Sequence, residues 1–302
     1  MKPKKGIGQS FDTLSDKIFM VFVYAILSIV AVLMLAPLLN VVAASFSDPN
    51  AIKLGKVTFF PVDFTLLGYE SVFRSQQLLT GFRNSFLYMT VGTLVNLFMT
   101  MIAAFPLSRK EFYGRNVVMT IFLITMYFSG GLVPTFMVVN SLGLLDSMWA
   151  VILPGAMSVW FVIIARTFLQ TNIPNEIYQA ALVDGCDNIY FFVRIVLPLS
   201  GPILAVLGLY YAVGHWNSYF SALIYLKSSV KFPLQLILRN ILVQNEIDAS
   251  MMLDLEKTKH MQGLADLLRY SVIVVSSIPV MLLYPFAQKY FVKGVMIGAL
   301  KG

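Results

Sequence analysis

The chain has 302 residues, 58% of them hydrophobic and 12% charged, with a formal net charge of +7. Soluble domains carry about 25% charged residues, so the composition excludes an ordinary soluble globule and indicates a membrane protein. A single cysteine, Cys186, and two histidines, His215 and His260, exclude an intrachain disulfide and a cysteine- or histidine-based metal cluster. The basic residues are scattered and form no stripe with aromatics, which argues against nucleic acid as a partner.

Residues 1–17 form a basic N-terminal segment with Lys2, Lys4, Lys5 and Lys17. Six apolar segments then meet the roughly 17–25 residues a spanning helix needs: Ile18–Phe46, Phe86–Leu107, Val117–Val139, Trp149–Ala165, Pro202–Leu226 and Tyr270–Phe286. Strands of a β-barrel would alternate apolar and polar residues over about ten positions, and no such alternation occurs. The first run exceeds the 7–15 residues of a signal-peptide core, which favours a retained anchor, with Ala43, Ala44 and Ser45 the place for any cleavage.

Six spans put both termini on one side. The short connectors and tail on that side hold Arg109, Lys110, Arg115, Lys289, Lys293 and Lys301, whereas the opposite connector, Asn140–Met148, has neither Lys nor Arg. By the positive-inside rule both termini are cytoplasmic. The longer connectors, about 47–84 and 227–269, are then extracellular.

Between the fourth and fifth spans lies a polar stretch, "IPNEIYQAALVDGCDNIYFFVRIVLP", residues 173–198. Pro174 suits a first helical turn and Glu176 complements the positive end of the helix dipole. Ile177, Ala180 and Ala181 share a face, and Gly185 stands where such a helix would end. Asp187 or Asn188 can cap a second helix carrying Ile189, Phe192, Val193 and Val196. The spacing predicts a short cytoplasmic hairpin of two helices, 172–198, too polar and brief to cross a membrane.

This hairpin closely resembles the cytoplasmic loop of importer-type ABC permeases, whose pattern runs Glu-Ala-Ala, three residues, Gly, nine residues, Ile-x-Leu-Pro. Here Ala180, Ala181, Gly185, Ile195, Leu197 and Pro198 fall in register, while Gln179 replaces the leading Glu and Glu176 lies one turn earlier. Further similarity to the carbohydrate-uptake branch is carried by Asn84 and Ser85, by "YFSGGLVPTF" with Gly130, Gly131 and Pro134, by "GLLDSMWAVILPG", by "GHWNSYFSALIY" and by the ending "QKYFVKGVMIGALKG".

The resemblance implies an all-α, six-span, MetI-like permease fold over 18–292 with a cytoplasmic coupling helix and a cytoplasmic tail, 293–302. It implies a bacterial plasma-membrane importer of complex oligosaccharides, of the subgroup found in Gram-positive bacteria. Its partners are a second homologous permease, two ATPase subunits that carry ATP and Mg, and an extracellular solute-binding protein. ATPase coupling would rest on Glu176, Gln179, Ala180, Ala181, Asp184, Gly185, Ile195, Leu197 and Pro198, with Gly294–Gly302 reaching between the ATPases and 227–269 touching the binding protein. The chain itself contains no GxxxxGK[ST] phosphate loop, so no catalysis and no cofactor are expected of it.

The alternative is an ion-coupled secondary sugar transporter. Proton carriers commonly hold ionisable groups at membrane depth, and the six predicted segments contain no Asp, Glu, Lys or Arg, His215 being their one imidazole. Sodium held at broken helices would draw attention to Gly130, Gly131 and Pro134. A path for a neutral sugar wants aromatic faces and uncharged hydrogen-bonding groups, which makes Tyr210, His215, Trp216, Asn217 and Tyr219, with Tyr127 and Ser129, the substrate-path candidates.

Overall fold

In the computed structural model the described residues are 14–244 and 266–285 except 284, and among them the regular structure is all helical. In chain order the elements are α1 (Leu14–Ser45), α2 (Pro49–Lys53), α3 (Leu67–Arg74), α4 (Gln76–Ser108), α5 (Arg115–Tyr127), α6 (Leu132–Ser141), α7 (Met148–Ile152), α8 (Val159–Asn172) and α9 (Asn175–Val183). They continue with α10 (Asn188–Leu199), α11 (Gly201–Trp216), α12 (Phe220–Tyr225), α13 (Leu234–Arg239) and α14 (Asp266–Leu283). The described residues sort into two compact units, 14–71 with 266–274, and 72–244 with 275–283.

In the first unit α1 is exposed along its apolar length and becomes buried only at Ala43, Ala44 and Ser45. At 32 residues it is about 48 Å long, more than a hydrocarbon core of about 30 Å requires. Its end is tied back by local contacts. Asn40 donates to the carbonyls of Val57 and Thr58, Ser45 Oγ lies 2.7 Å from Tyr69 Oη, and Phe46 stacks on Phe64 at 5.5 Å.

In the second unit α4 is the central post, with α8 and α11 packed on it through Met101, Ala104, Leu107, Val162, Ala165, Leu169 and Leu207. Close approach is obtained at Gly92, where a Cβ would stand 2.5 Å from His215 Nε2. α4 starts at Gln76, not at Phe86, because Ser75 caps it by accepting from Leu78 N–H, so residues 76–84 are helical.

Three helices, α1, α4 and α14, are long and apolar enough to cross a membrane, and three bent pairs bring the total to six if each is one span. The predicted third segment is not straight, since α5 and α6 meet at 113° across Phe128–Gly131. The predicted fourth is broken between α7 and α8 at 56°, and its second half runs on to Asn172. The fifth begins with a 79° turn between α10 and α11, and α11 stops at Trp216 before α12 starts at Phe220.

Broken helices at membrane depth expose backbone groups that need partners, and here side chains supply them. Asn96 donates to Gly155 O at 2.6 Å and the Tyr211 hydroxyl accepts from Ser158 N–H at 3.3 Å, both at the α7–α8 break. The helices, longer than predicted, also take in Arg83, Arg166, Asp266 and Arg269, so the absence of charge holds for the predicted cores only. Arg166 is spent on a helix end, donating from Nε to Leu107 O at 3.0 Å.

Candidate functional site

The hairpin is formed as the sequence predicts, with its chemistry more specific than the pattern alone conveyed. Pro174 stands as N-cap of α9. At the other end Gly185 adopts φ +79°, Gly185 N–H donates to Leu182 O at 3.0 Å, and Cys186 N–H donates to Ala181 O at 2.9 Å. This pair of bonds is a Schellman closure, which requires the left-handed conformation that glycine adopts without steric cost. Asp187, not Asn188, caps α10 by accepting from Tyr190 N–H at 2.6 Å. Asn188 Oδ1 instead accepts from Tyr178 Oη at 2.7 Å and fastens the two helices together. α10 runs through a π-helical turn, Phe192–Val196, into Leu197–Leu199.

Each face of the hairpin has its own character. Tyr178, Ala181, Phe191 and Val196 are buried against the body, so Ala181 faces inward while Ile177 and Ala180 face out. The outward side carries Val183 at 88% exposure, Ile189 at 75% and Tyr190 at 58%, with Ile177 and Leu182 also exposed. Glu176, Gln179, Asp184, Gly185 and Pro198 are exposed too, whereas Ile195 and Leu197 are half-buried. An exposed apolar knuckle edged by carboxylates is a surface suited to contact with another protein.

What the pattern did not foresee is the anchor beneath. Arg109, the residue that ends α4, is 6% exposed and lies among the rings of Phe105, Tyr178 and Phe191, at 5.5, 5.7 and 5.9 Å from their centroids. Its Nη1 makes a long 3.4 Å contact to Ile173 O, and its Nε and Nη2 have no hydrogen-bond partner among the described residues. Ring faces stand in for acceptors here, each such contact being worth about 2 kcal/mol when desolvated. Burial pulls the guanidinium below its ordinary value, opposed by the nearby Glu111 carboxylate.

Glu111 in turn grips α9 from outside. Its Oε1 accepts from Asn175 Nδ2 at 2.8 Å and Gln179 Nε2 at 3.1 Å. These bonds, the Asn175 amide first, hold its carboxyl below the usual value of 4.5. In the sequence Arg109 counts only as a connector charge, and Glu111 does not stand out. No local signal marks them, because their partners in the hairpin are more than 60 residues away. A cleft of about 570 Å³ remains beside this anchor, lined among others by Ile102, Phe105, Arg109, Glu111 and Ile189.

The substrate-path candidates divide. His215 sits against Gly92 and gives Nε2 to Asn96 Oδ1 at 2.6 Å, and since the Asn96 amide nitrogen donates to Gly155 O, the imidazole is the donor. Trp216 is 1% exposed, donates its indole N–H to Ser276 O at 3.1 Å, and packs edge-on to Phe86 at 5.2 Å. Both side chains make contacts between helices, Trp216 fully buried and His215 half-buried. Tyr127 and Ser129 lie at the elbow between α5 and α6, exposed, as are Tyr210, Asn217 and Tyr219.

On the other side of the bundle, Asp146 joins two connectors. It adopts φ +56° and accepts from Lys227 N–H, Ser228 N–H, Ser228 Oγ and, at 2.8 Å, Lys231 Nζ. Lys231, then Ser228, hold its carboxyl far below the usual 3.8. Asn84 donates to Val230 O and Phe232 O, and Ser85 Oγ accepts from Leu234 N–H. The Asn-Ser pair and the "GLLDS" motif are thus two ends of one loop clamp. Gly294–Gly302 and residues 245–265 lie outside the described residues.

Residues 82–297 match the family described as binding-protein-dependent transport system inner membrane component. The chain belongs to this family. The polygalacturonan/rhamnogalacturonan transport system permease YtcP of Bacillus subtilis is 38% identical over 96% of this chain and its own full length. LplC of the same organism is also 38% identical, over 96% of this chain and 97% of its own. The arabinooligosaccharide permease AraQ of Halalkalibacterium halodurans is 29% identical over 92% of this chain and 94% of its own. A crystal structure of a bacterial ABC transporter that imports the acidic polysaccharide alginate contains a chain matching with TM-score 0.84 and 29% identity, over 94% of this chain and all of that one.

As an inner membrane component of a binding-protein-dependent system, the chain is a multi-pass, non-catalytic permease subunit of the ABC importer class, with the MetI-like helical fold. ATP hydrolysis belongs to separate ATPase subunits. The ion-coupled alternative finds no support in these similarities.

Proposed function

We propose that the chain is one half of the translocation path of an ATP-driven oligosaccharide importer, with both termini cytoplasmic and the 172–198 hairpin as its coupling helix. Its partners in this reading are a second homologous permease, two ATPase subunits that bind ATP and Mg, and an extracellular binding protein that delivers the sugar. The substrate class is carried over from relatives that transport polygalacturonan and rhamnogalacturonan, arabinooligosaccharides and alginate.

The observation that carries the coupling role is the contrast between the two sides of the hairpin. Its outer side, from Ile177 and Ala180 to Val183, Ile189 and Tyr190, is apolar and exposed, while its inner side is fixed to the end of α4 by Arg109, with Glu111 bonding α9 from outside. A push on the outer side therefore reaches α4 through charged and aromatic contacts on residues 109–111, and α11 through the continuous run of α10. α4 in turn packs on α8 and α11, so a rigid displacement of the hairpin moves the core helices as a set. Gly185 keeps the knuckle tightly closed.

The test is uptake by proteoliposomes holding the co-purified complex. Binding protein loaded with a galacturonide or arabinan oligosaccharide should stimulate ATP hydrolysis and drive sugar uptake. Uptake of sugar by this chain without any ATPase subunit contradicts the proposal.

A further inference from the structure

Asn217, one residue beyond α11, lines a cavity of about 290 Å³ with Gln235, Ser276, Ser277, Val280 and Met281. Among the described residues the lining holds two primary amides and two serines beside a valine and a methionine, and no charged side chain. That is the chemistry of a sugar ring, which offers hydroxyl edges to amides and a C–H face to apolar side chains. The volume is at the small end of the roughly 300–1,000 Å³ of ligand pockets, so it fits one ring of a chain and not a whole oligosaccharide.

The cavity is held open by neighbours that do not line it. Trp216 bonds Ser276 O and rests on Phe82 and Phe86, which fixes Ser276 and Ser277 of α14 beside Asn217. Gln235 comes from α13, whose start is fastened to α4 by the bond from Leu234 N–H to Ser85 Oγ. Three separate helical elements thus converge on one site, and Trp216 acts as its positioning residue.

We propose that this cavity is a sugar-hydroxyl subsite of the path, reading ring hydroxyls through Asn217 and Gln235. The inference rests on oligosaccharide import as proposed above. Its test uses the assembled complex in proteoliposomes, with trigalacturonate and the neutral galactotriose as probes. Failure of the wild type to import either probe strikes at the import reading itself.

With import established, N217A and Q235A should each raise KM about tenfold at equal abundance of complex, the loss of roughly one hydrogen bond. Gln235→Glu keeps the side-chain size and should penalise trigalacturonate while sparing galactotriose, since only the acidic probe meets a like charge. Unchanged KM in both alanine variants, or an equal effect of Gln235→Glu on the two probes, overturns the subsite.

Discussion

Gln179 donates its amide to the Glu111 carboxylate at 3.1 Å, and Asn175 donates to the same oxygen at 2.8 Å. The departure from the loop pattern at position 179 therefore has a local reason. A carboxylate there would face another carboxylate within hydrogen-bond distance, and like charges so placed repel. Gln179→Glu should lower coupled uptake several-fold, and the added change Glu111→Gln should restore most of it. A double-mutant cycle on uptake checks this, and an additive pair of effects would show that the contact is silent.

Gly185 at φ +79° has open space around it, with nothing within 4 Å of an added Cβ. The cost of replacing it is therefore conformational, about 1–2 kcal/mol for an L-residue and more for a β-branched one. Gly185→Asn, which tolerates this conformation, should keep most coupling. Gly185→Val should uncouple ATP hydrolysis from uptake at equal membrane abundance. Equal activity of the two variants contradicts a conformational role.

Arg109 owes its place to a planar guanidinium among three rings. Lysine keeps the charge but is a strongly hydrated point charge that suits this cage poorly. Arg109→Lys should weaken the hairpin by about 2 kcal/mol, read as faster proteolysis within 173–198 in the assembled complex. Unaltered cleavage would mean that the rings contribute no hold.

Asp146 supplies a pH-dependent clamp. Its folded pKa is depressed below the ordinary 3.8 by Lys231 and Ser228, so the stabilisation is fully present above that value and is lost as pH falls through the folded pKa. The connector around 146 and 227–231 should keep its hydrogen-exchange protection at neutral pH and lose it only in strong acid. Asp146→Asn should lose protection at neutral pH as well, and a variant indistinguishable from wild type would sink the clamp.

The hairpin was legible in the sequence because its determinants are local, namely Pro174, Gly185 and the capping Asp187 within one short stretch. Hydropathy located three long apolar helices, and three bent pairs that make six spans if each pair is one. It missed the 113° elbow at Phe128–Gly131 and the break before α8, because mean apolarity is blind to direction. It also missed which side chains fill the breaks. Asn96 and Tyr211 look like ordinary polar residues until Gly155 and Ser158 are seen opposite them. His215 and Trp216 carried the right chemistry for a sugar path, but Gly92 and Ser276, remote in sequence, had already engaged them. Gln235 and Ser277 gave no sign at all, since an isolated amide or hydroxyl has no period or motif.

The hairpin's proposed seat in an ATPase on the cytoplasmic side can be probed directly by cross-linking. Cys186 is the single native cysteine and is half-exposed, so a Cys186→Ser background carrying Ala180→Cys or Val183→Cys places one thiol on the outer surface of α9. A short bifunctional cross-linker applied to cells importing oligosaccharide should join that thiol to the ATPase subunit in a yield that changes with nucleotide state. Capture of an extracellular protein at these positions, or none of the ATPase during active uptake, would contradict the claim.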